Sequence, residues 1–315
     1  MKKSKDIKAF NILSYTLIGL VALICLIPFL MVIIGSFTEE KEIIANGFSF
    51  FPKELSLEAY KTALKEPMAI LRAYGVTASL TVIGTAIGLF IVAMTAYVLQ
   101  RKDFKWRNKV SFFFYFTTLF SGGLVPWYIL MVKYLGLKDS YLSLLLPPLL
   151  SVFNIIIMKS YMSGIPQALT ESAKIDGAGD FTIFIKVILP LVKPALATIG
   201  MFIALGYWND WYNSMLFINN ENLYSLQYYL YKIVNNIEAY KTILAQAGGG
   251  TSLGSAISMP SESLKMALTI IVTGPIILVY PFIQKYFVSG VTIGAVKGQV
   301  LIKNTIKINN KRIYI

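Results

Sequence analysis

The chain has 315 residues, of which 56% are hydrophobic and only 14% charged, with a formal net charge of +13 and no histidine. These fractions exclude an ordinary soluble domain, and the lack of histidine excludes His-based metal sites and Ser-His-Asp triads. The positive charge would suggest nucleic acid in a soluble chain, but beside apolar helices it indicates membrane topology and anionic lipid.

Six stretches are apolar enough and long enough, at about 20 residues, to cross a bilayer as helices. They cover residues 9–38, 73–100, 110–132, 140–158, 194–220 and 266–284, with Asp210 as the one charge inside them. The sequence therefore predicts an all-α membrane protein with six transmembrane helices in a single permease-like domain over 9–298. Residues 1–8 form the N-terminal segment, and 299–315 form a basic C-terminal extension.

The distribution of charge predicts the orientation. With the N-terminus inside, the inner segments carry 19 basic and 5 acidic residues, and the outer segments with Asp210 carry 10 and 11. Lysine and arginine in short loops favour the cytoplasm, which predicts N-in/C-in topology. The external loops are then 39–72, 133–139 and 221–263, and the segment 161–190 is cytoplasmic.

The second and third spans contain glycines that favour close packing or a break. Gly84 and Gly88 form a small-x-x-x-small pair, which is typical of close helix contacts. The run "SGGLVPW" at 121–127, like "LPPLL" at 146–150, predicts a broken or kinked helix. Transporters use broken helices near the pathway, although a packing kink explains these runs equally well.

The cytoplasmic segment 161–190 begins with a predicted amphipathic helix. Pro166 fits its first turn and Gly177 its left-handed stop. Ile165, Leu169 and Ala173 recur at every fourth residue and share a face. On the polar side, Glu171 and Lys174 stand at a spacing that allows them to pair.

A second short helix follows, for which Asp180 is the predicted cap. Its apolar residues Phe181, Phe184, Ile185 and Ile188 follow helical spacing, and Pro190 and Pro194 end it before the fifth span. The pattern alone leaves two hypotheses open. The two apolar faces either dock a partner protein or pack against the protein's own helices.

A resemblance favours docking. Glu-x-Ala-x-x-x-Gly, followed after nine residues by an aliphatic, any residue, Leu and Pro, resembles the coupling-loop motif of ABC importer permeases. Its positions here are Glu171, Ala173, Gly177, Val187, Leu189 and Pro190, and Asp176, Ala178 and Phe184 resemble the carbohydrate-uptake branch. Ser172 and Val187 are small departures from the usual alanine and isoleucine. The resemblance implies that this loop sits in a cleft of a separate ATPase subunit.

The resemblance extends from the first span to Gly298 and is strongest to the second permease of maltose-type importers, in the branch for complex-polysaccharide oligosaccharides. It implies the type I importer fold and a C-terminal tail, "SGVTIGAVKG", between the two ATPases. The tail residues at that interface would be Gly290, Gly294, Lys297 and Gly298. Residues 299–315 run beyond the usual end of the family and predict either a segment along the inner leaflet or disorder.

The run "YWNDWYN" at 207–213 is the candidate substrate pathway. Aromatic faces stack on sugar rings, and amide and carboxylate groups bind hydroxyls. The candidates are Trp208, Asn209, Asp210, Trp211 and Tyr212. Asp210 lies 17 residues after Lys193 and hence about 25 Å along the helix, near the outer mouth. The competing hypothesis is that the aromatics are interface anchors and that Asp210 marks the helix end; Asp210 also argues mildly against a strongly anionic substrate.

These observations predict a permease subunit that couples ATPase motion to alternating access for oligosaccharides or polysaccharide fragments. We expect no enzyme activity and no cofactor on this chain, with ATP and Mg²⁺ on the partner ATPase. The expected partners are a second permease, two ATPase subunits, an extracytoplasmic sugar-binding protein and the lipid bilayer of a bacterial plasma membrane. The alternatives are an ABC permease for a non-sugar solute and an ion-coupled secondary carrier, against which the coupling loop argues.

Overall fold

The structure, a computed structural model, describes residues 5–246, 261–278 and 281, and over these ranges it is nearly all helical. Within these ranges, Thr38 and Leu55 form one isolated antiparallel β-bridge. The helices, in chain order, are α1 Lys5–Ser36, α2 Glu40–Asn46, α3 Glu58–Ala63, α4 Pro67–Gln100, α5 Arg107–Leu119, α6 Leu124–Ile129, α7 Tyr141–Leu145, α8 Val152–Met162, α9 Gln167–Ile175, α10 Asp180–Ile183, α11 Leu189–Leu191, α12 Lys193–Trp208, α13 Tyr212–Phe217, α14 Leu226–Gln246 and α15 over 262–278.

Short tighter or wider turns extend several of these helices. The π-helical turns Leu130–Tyr134 and Phe184–Ile188 follow α6 and α10, and a 3₁₀ turn covers Glu221–Leu223. Such turns shift the register of the side chains that come after them. In the segment 161–190, the π-helical turn shifts the side chains that follow it.

Among the described residues, two helices are long and apolar enough to cross a membrane, Phe10–Ser36 and Pro67–Gln100. Two bent pairs pass the same test together. Arg107–Leu119 and Leu124–Tyr134 meet at 113°, and Asp180–Leu191 and Lys193–Trp208 meet at 87°. At least two and at most four membrane-crossing elements follow from these ranges, so the predicted six spans stay a prediction.

Two predicted spans are interrupted for reasons visible in the sequence. The stretch 140–158 consists of α7 and α8 separated by a turn that contains Pro147 and Pro148. Proline lacks the backbone N–H that a helix needs and so ends α7 early. The stretch 194–220 breaks after Trp208, before α13 begins at Tyr212.

The predicted break in "SGGLVPW" is confirmed. The chain leaves α5 at Leu119 and enters α6 at Leu124, and Gly123 between them has a φ of 87°. This left-handed backbone is accessible to glycine at little cost. The glycine therefore permits the 113° bend between the two helices.

The chain divides into two compact units, Met1–Ile70 with Leu230–Ile276 and Leu71–Tyr229 with Ile277–Ile315. In the first unit the carboxylate of Glu40 lies at the start of α15 and is 8% exposed. It accepts hydrogen bonds from the Ser263 N–H at 2.9 Å, the Ser263 hydroxyl at 2.8 Å, the Ser261 hydroxyl at 2.8 Å and the Glu262 N–H at 2.9 Å. Burial alone would raise the pKa of Glu40, but these donors hold it below its usual value.

The core of the second unit forms where α4, α8 and α12 meet the segment 161–190. A methyl group added at Gly84 would collide with the Tyr207 ring, and one at Gly88 would lie 3.0 Å from the Leu149 carbonyl oxygen. The predicted close packing at these glycines is therefore confirmed. Tyr207 is 1% exposed and donates its hydroxyl to the Leu145 carbonyl at 2.6 Å.

Candidate functional site

The segment 161–190, predicted to be cytoplasmic, folds into two short helices joined by a glycine turn. Pro166 is the cap residue of α9, which begins at Gln167, one residue later than the predicted first-turn position. Gly177 has a φ of 79°, as predicted for a left-handed stop. The backbone N–H of Ala178 donates to the Ala173 carbonyl at 3.0 Å and closes the turn. The sequence signals at both ends thus locate this helix to within one residue.

The first helix, α9, has no buried residue. Ile165 and Ala173 lie partly buried against the core of the unit, whereas Leu169 is 43% and Ile175 86% exposed. One edge of the predicted apolar face therefore packs on the protein, and the rest faces outward. An isoleucine this exposed beside a glycine turn is a surface available to a partner.

The second half of the segment, 180–191, is anchored in the protein. Ile183, Phe184 and Ile188 are each at most 1% exposed, while Phe181 is 60% and Ile185 37% exposed. The predicted apolar face of Phe181, Phe184, Ile185 and Ile188 is wrong for two of its four members. The π-helical turn over Phe184–Ile188 adds a residue to the turn and rotates the buried face.

Phe184 links this half of the segment to α4. Its ring centroid lies 5.3 Å from that of Tyr97 and 6.2 Å from that of Phe90, distances typical of aromatic pairs. Phe184 is one of the residues predicted for ATPase coupling, and its burial directs it to the protein core. The other predicted coupling residues lie nearer the surface: Glu171, Asp176, Gly177 and Pro190 are exposed, and Ala173, Ala178 and Leu189 are half-buried.

Two predicted polar interactions of the segment are wrong. Glu171 accepts from the Gln167 side chain at 2.8 Å and does not pair with Lys174, which reaches Asp103 at 3.2 Å instead. Asp180 does not cap the second helix. Gly179 occupies the cap position, and the Asp180 carboxylate pairs with Arg101 at 2.6 Å. The actual partners, Asp103 of Lys174 and Arg101 of Asp180, both lie in the linker after α4, about 70 to 80 residues away in sequence.

Arg101, which directly follows α4, is the centre of this ion-pair cluster and was not predicted. Its guanidinium donates to both carboxylate oxygens of Asp103, at 2.8 Å from Nε, and pairs with Asp180 through the other terminal nitrogen. It also lies 5.7 Å from the centroid of the Tyr97 ring, and its side chain is 17% exposed. The only sequence signal for this ion-pair cluster is that the linker 101–106 and the segment 161–190 both carry charged residues of opposite sign.

The ion pairs of this cluster favour the charged forms of Arg101 and Asp103. The hydrogen bonds from Arg101 keep the pKa of Asp103 well below its usual range, with Lys174 adding to the effect. The same pair raises the pKa of Arg101. A planar guanidinium with two carboxylates is a charge-assisted arrangement stronger than a neutral hydrogen bond. We call Arg101, Asp103, Lys174 and Asp180 the Arg101 cluster.

The candidate substrate pathway is spread over a helix break. Asn209, Asp210 and Trp211 separate α12 from α13, and Asp210 accepts from the backbone N–H of Asn213 at 3.1 Å and from its side-chain amide at 2.7 Å. Asp210 thus lies just past the end of α12, which is consistent with the competing hypothesis that it marks a helix end. The indole N–H of Trp208 is buried and has no hydrogen-bond partner in the described part of the chain. Sugar contact at these residues stays a prediction.

The structure brings one pathway residue together with the broken third span. Tyr212 lines an open groove of about 530 Å³ with Trp127, Pro126 and the Gly122–Gly123 break. Trp127 and Tyr212 are 37% and 42% exposed, and Trp211 contacts Tyr212 edge-on at 5.8 Å between centroids. Two features identified separately in the sequence thus share one surface. The predicted tail residues Gly290, Gly294, Lys297 and Gly298 lie outside the described residues.

Known transport proteins of similar sequence align with almost the whole of this chain. It is 40% identical over 291 residues to the polygalacturonan/rhamnogalacturonan transport system permease protein YtcP of Bacillus subtilis, covering 92% of this chain and 99% of that protein. It is 40% identical to the protein LplC of Bacillus subtilis, covering 95% and 98%. The trehalose/maltose transport system permease protein MalG of Thermococcus litoralis is 28% identical, with 89% and 94% covered. No protein-family model matches the chain.

A solved structure shares both fold and sequence. The chain superposes with a TM-score of 0.74 and 30% identity on a chain of a bacterial ABC transporter involved in the import of the acidic polysaccharide alginate, covering 91% of this chain and 99% of the other. YtcP and MalG are both named as transport system permease proteins. Together with the apolar helices, they show that this protein belongs to the permease family of bacterial carbohydrate ABC transporters.

Proposed function

We propose that the chain is one permease subunit of an ATP-driven importer and that α9 is its docking helix for an ATPase subunit. The observation that carries the proposal is the outward-facing apolar edge of α9, with Ile175 86% exposed next to the Gly177 turn. The sequence of this segment resembles a coupling loop. An ion-coupled carrier has no use for such a surface, which favours the ABC importer over that alternative.

In this proposal the chain has six spans with both ends in the cytoplasm of a bacterial cell. Closure of two ATPases, which hold ATP and Mg²⁺, moves α9. The motion rocks this subunit against a second permease and opens the pathway alternately to each side. The basic inner segments support this orientation. A single six-span subunit cannot enclose such a pathway alone, so the proposal includes a second permease.

We further propose that the cargo is an oligosaccharide released from a polysaccharide and delivered by an extracytoplasmic binding protein. The named cargoes of the relatives include polygalacturonan, rhamnogalacturonan and alginate, which favours fragments that carry carboxylates. The mild objection from Asp210 is reduced because its carboxylate is engaged by Asn213. Neutral fragments are the second candidate, supported by an arabinooligosaccharide permease that is 28% identical.

The test is co-purification of the tagged chain from its native membrane, followed by mass spectrometry, for the wild type, Ile175→Asp and Phe51→Asp. Phe51 is the matched control because it is 90% exposed but lies in the predicted external loop. We expect the wild type and Phe51→Asp to capture an ATPase and a second permease, and Ile175→Asp to lose the ATPase alone. Purification of the wild type alone or as a homo-oligomer would contradict the proposal.

A further inference from the structure

The docking helix α9 is held to its own subunit by very little apolar packing. None of its residues is buried, and a groove of about 480 Å³ lined by Gln167, Thr170 and Glu171 separates it from the linker after α4. Packing interfaces transmit displacement through close contact, which is missing across this groove. The Gly177 turn connects α9 to the anchored half of the segment, and a connection across the groove would couple α9 to α4 as well.

The Arg101 cluster crosses that groove. Lys174 of α9 reaches Asp103 at 3.2 Å, Asp103 is bound by two nitrogens of Arg101, and Arg101 also binds Asp180 of α10. A single exposed ion pair contributes little to stability. Here one planar guanidinium, 17% exposed, joins two carboxylates on different segments and lies on the Tyr97 ring, so it fixes geometry as well as charge.

Helix α4 then extends from this cluster toward the candidate pathway. Gly84 lies 17 residues before Arg101, so the two positions are about 25 Å apart along the helix. At Gly84 the Tyr207 ring lies directly against the backbone of α4, and at Gly88 Ile203 of α12 is in contact. Tyr207 precedes the candidate pathway residues Trp208–Tyr212. Close contact thus connects α4 with Tyr207, which directly precedes the break between α12 and α13.

We propose that Arg101 is a positioning residue that makes α9, α10 and α4 move together, so that a displacement at the docking helix reaches residues 207–213. The inference rests on the proposed docking role of α9. Arg101 touches neither cargo nor ATPase in this proposal. Its role is to connect the docking surface, which a partner moves, with the long helix that contacts the pathway.

The test is hydrogen–deuterium exchange of the complete importer with and without a non-hydrolysable ATP analogue, read at residues 167–175 and 207–213. The variants are Arg101→Gln and the matched control Lys102→Gln, an adjacent cation that forms no ion pair among the described residues. In the wild type and Lys102→Gln we expect the nucleotide to change exchange at both sites. In Arg101→Gln we expect the change at 167–175 to remain and that at 207–213 to fall about tenfold, as for loss of charge-assisted hydrogen bonds.

The outcomes separate this inference from the proposed function. If the nucleotide leaves residues 167–175 unchanged in the wild type, the docking role itself is wrong. If Arg101→Gln responds at 207–213 like the wild type, the docking role stands and the transmission role is wrong. A general rise in exchange that is independent of nucleotide would assign Arg101 a merely structural role and would also overturn the proposal.

Asp180→Asn is the second variant, because it removes one arm of the cluster and leaves the Arg101–Asp103 pair in place. We expect it to keep the ATPase bound and to weaken the response at 207–213 less than Arg101→Gln does. If Asp180→Asn loses the ATPase altogether, the cluster shapes the docking surface instead of transmitting its motion. That result would overturn the inference even if Arg101→Gln did not assemble.

Discussion

The two halves of the segment 161–190 carry apolar residues at similar helical spacing, yet one half leaves them exposed and the other buries them. α9 leaves Leu169 and Ile175 exposed and buries nothing, whereas 180–191 buries Ile183, Phe184 and Ile188 to 1% exposure or less. Helical spacing alone therefore does not distinguish a surface for a partner from an anchor in the core. If α9 docks a partner as proposed, the buried half would hold this exposed surface in place and leave it free to bind.

The largest expected effect that separates the halves is that of Phe184→Ala. Removing a fully buried phenylalanine costs about 3–5 kcal/mol in the free energy of unfolding, because a cavity remains between Phe90 and Tyr97. Phe181→Ala, three residues earlier and 60% exposed, is the control and should cost below about 1 kcal/mol. Denaturation in detergent micelles measures both. Equal losses would contradict the assignment of Phe184 as the anchor.

A smaller effect is expected at the turn that joins the halves. Gly177→Val should cost about 1–2 kcal/mol, because a φ of 79° is left-handed and valine adopts it poorly. The cost comes from the backbone alone, since an added methyl group would meet nothing within 4 Å. Gly179→Val is the matched control, with a φ of −68° and the same open surroundings. Thermal unfolding of the two variants, measured side by side, should show that Gly177→Val lowers the stability and Gly179→Val does not.

These comparisons indicate how far the sequence could predict this region. The start near Pro166 and the stop at Gly177 follow from backbone chemistry that depends on single residues. The helix ends before the fifth span as predicted, but the break lies at Val192, between Pro190 and Pro194, and Pro190 itself is within α11. The buried face of 180–191 could not be predicted, because the spacing assumed an α-helix and the chain forms a π-helical turn over Phe184–Ile188. The broken helix at Gly122–Gly123 was readable for the same local reason as the turn at Gly177.

The ion pairs between residues far apart in the chain could not be predicted from the sequence. Glu171–Lys174 at a helical spacing was a reasonable local prediction, but Lys174 finds Asp103 in a distant loop. Likewise, Asp180 in a typical cap position is bound by Arg101 instead. Long charged side chains choose among several partners by tertiary geometry, and such choices carry small energies that local patterns do not encode.

The link between the halves predicts a dependence on pH. Arg101 depresses the pKa of Asp103, so the carboxylate contributes stability that is fully present above its usual pKa of about 4 and is lost as pH falls through the depressed value. Thermal unfolding of the wild type and Asp103→Asn should thus differ at neutral pH and converge in acid. The control is Asp176→Asn, which removes an exposed carboxylate at the end of α9. A gap between wild type and Asp103→Asn that widened in acid would contradict the ion-pair role.

The smallest expected effect on stability is that of Ile175→Ser, and it is the most informative about the comparison. Because the side chain is 86% exposed, its loss should change the free energy of unfolding by no more than about 0.5 kcal/mol. Ile188→Ser, 1% exposed in the other half, should cost several times more because it leaves a cavity and buries a hydroxyl group. Unfolding in detergent measures the two, and ATPase capture by the Ile175→Ser chain measures the docking surface. Unchanged stability with reduced capture is the expected result, because an apolar residue that the subunit does not use for its own packing is then used by its partner; a large loss of stability would mean that α9 belongs to the core after all.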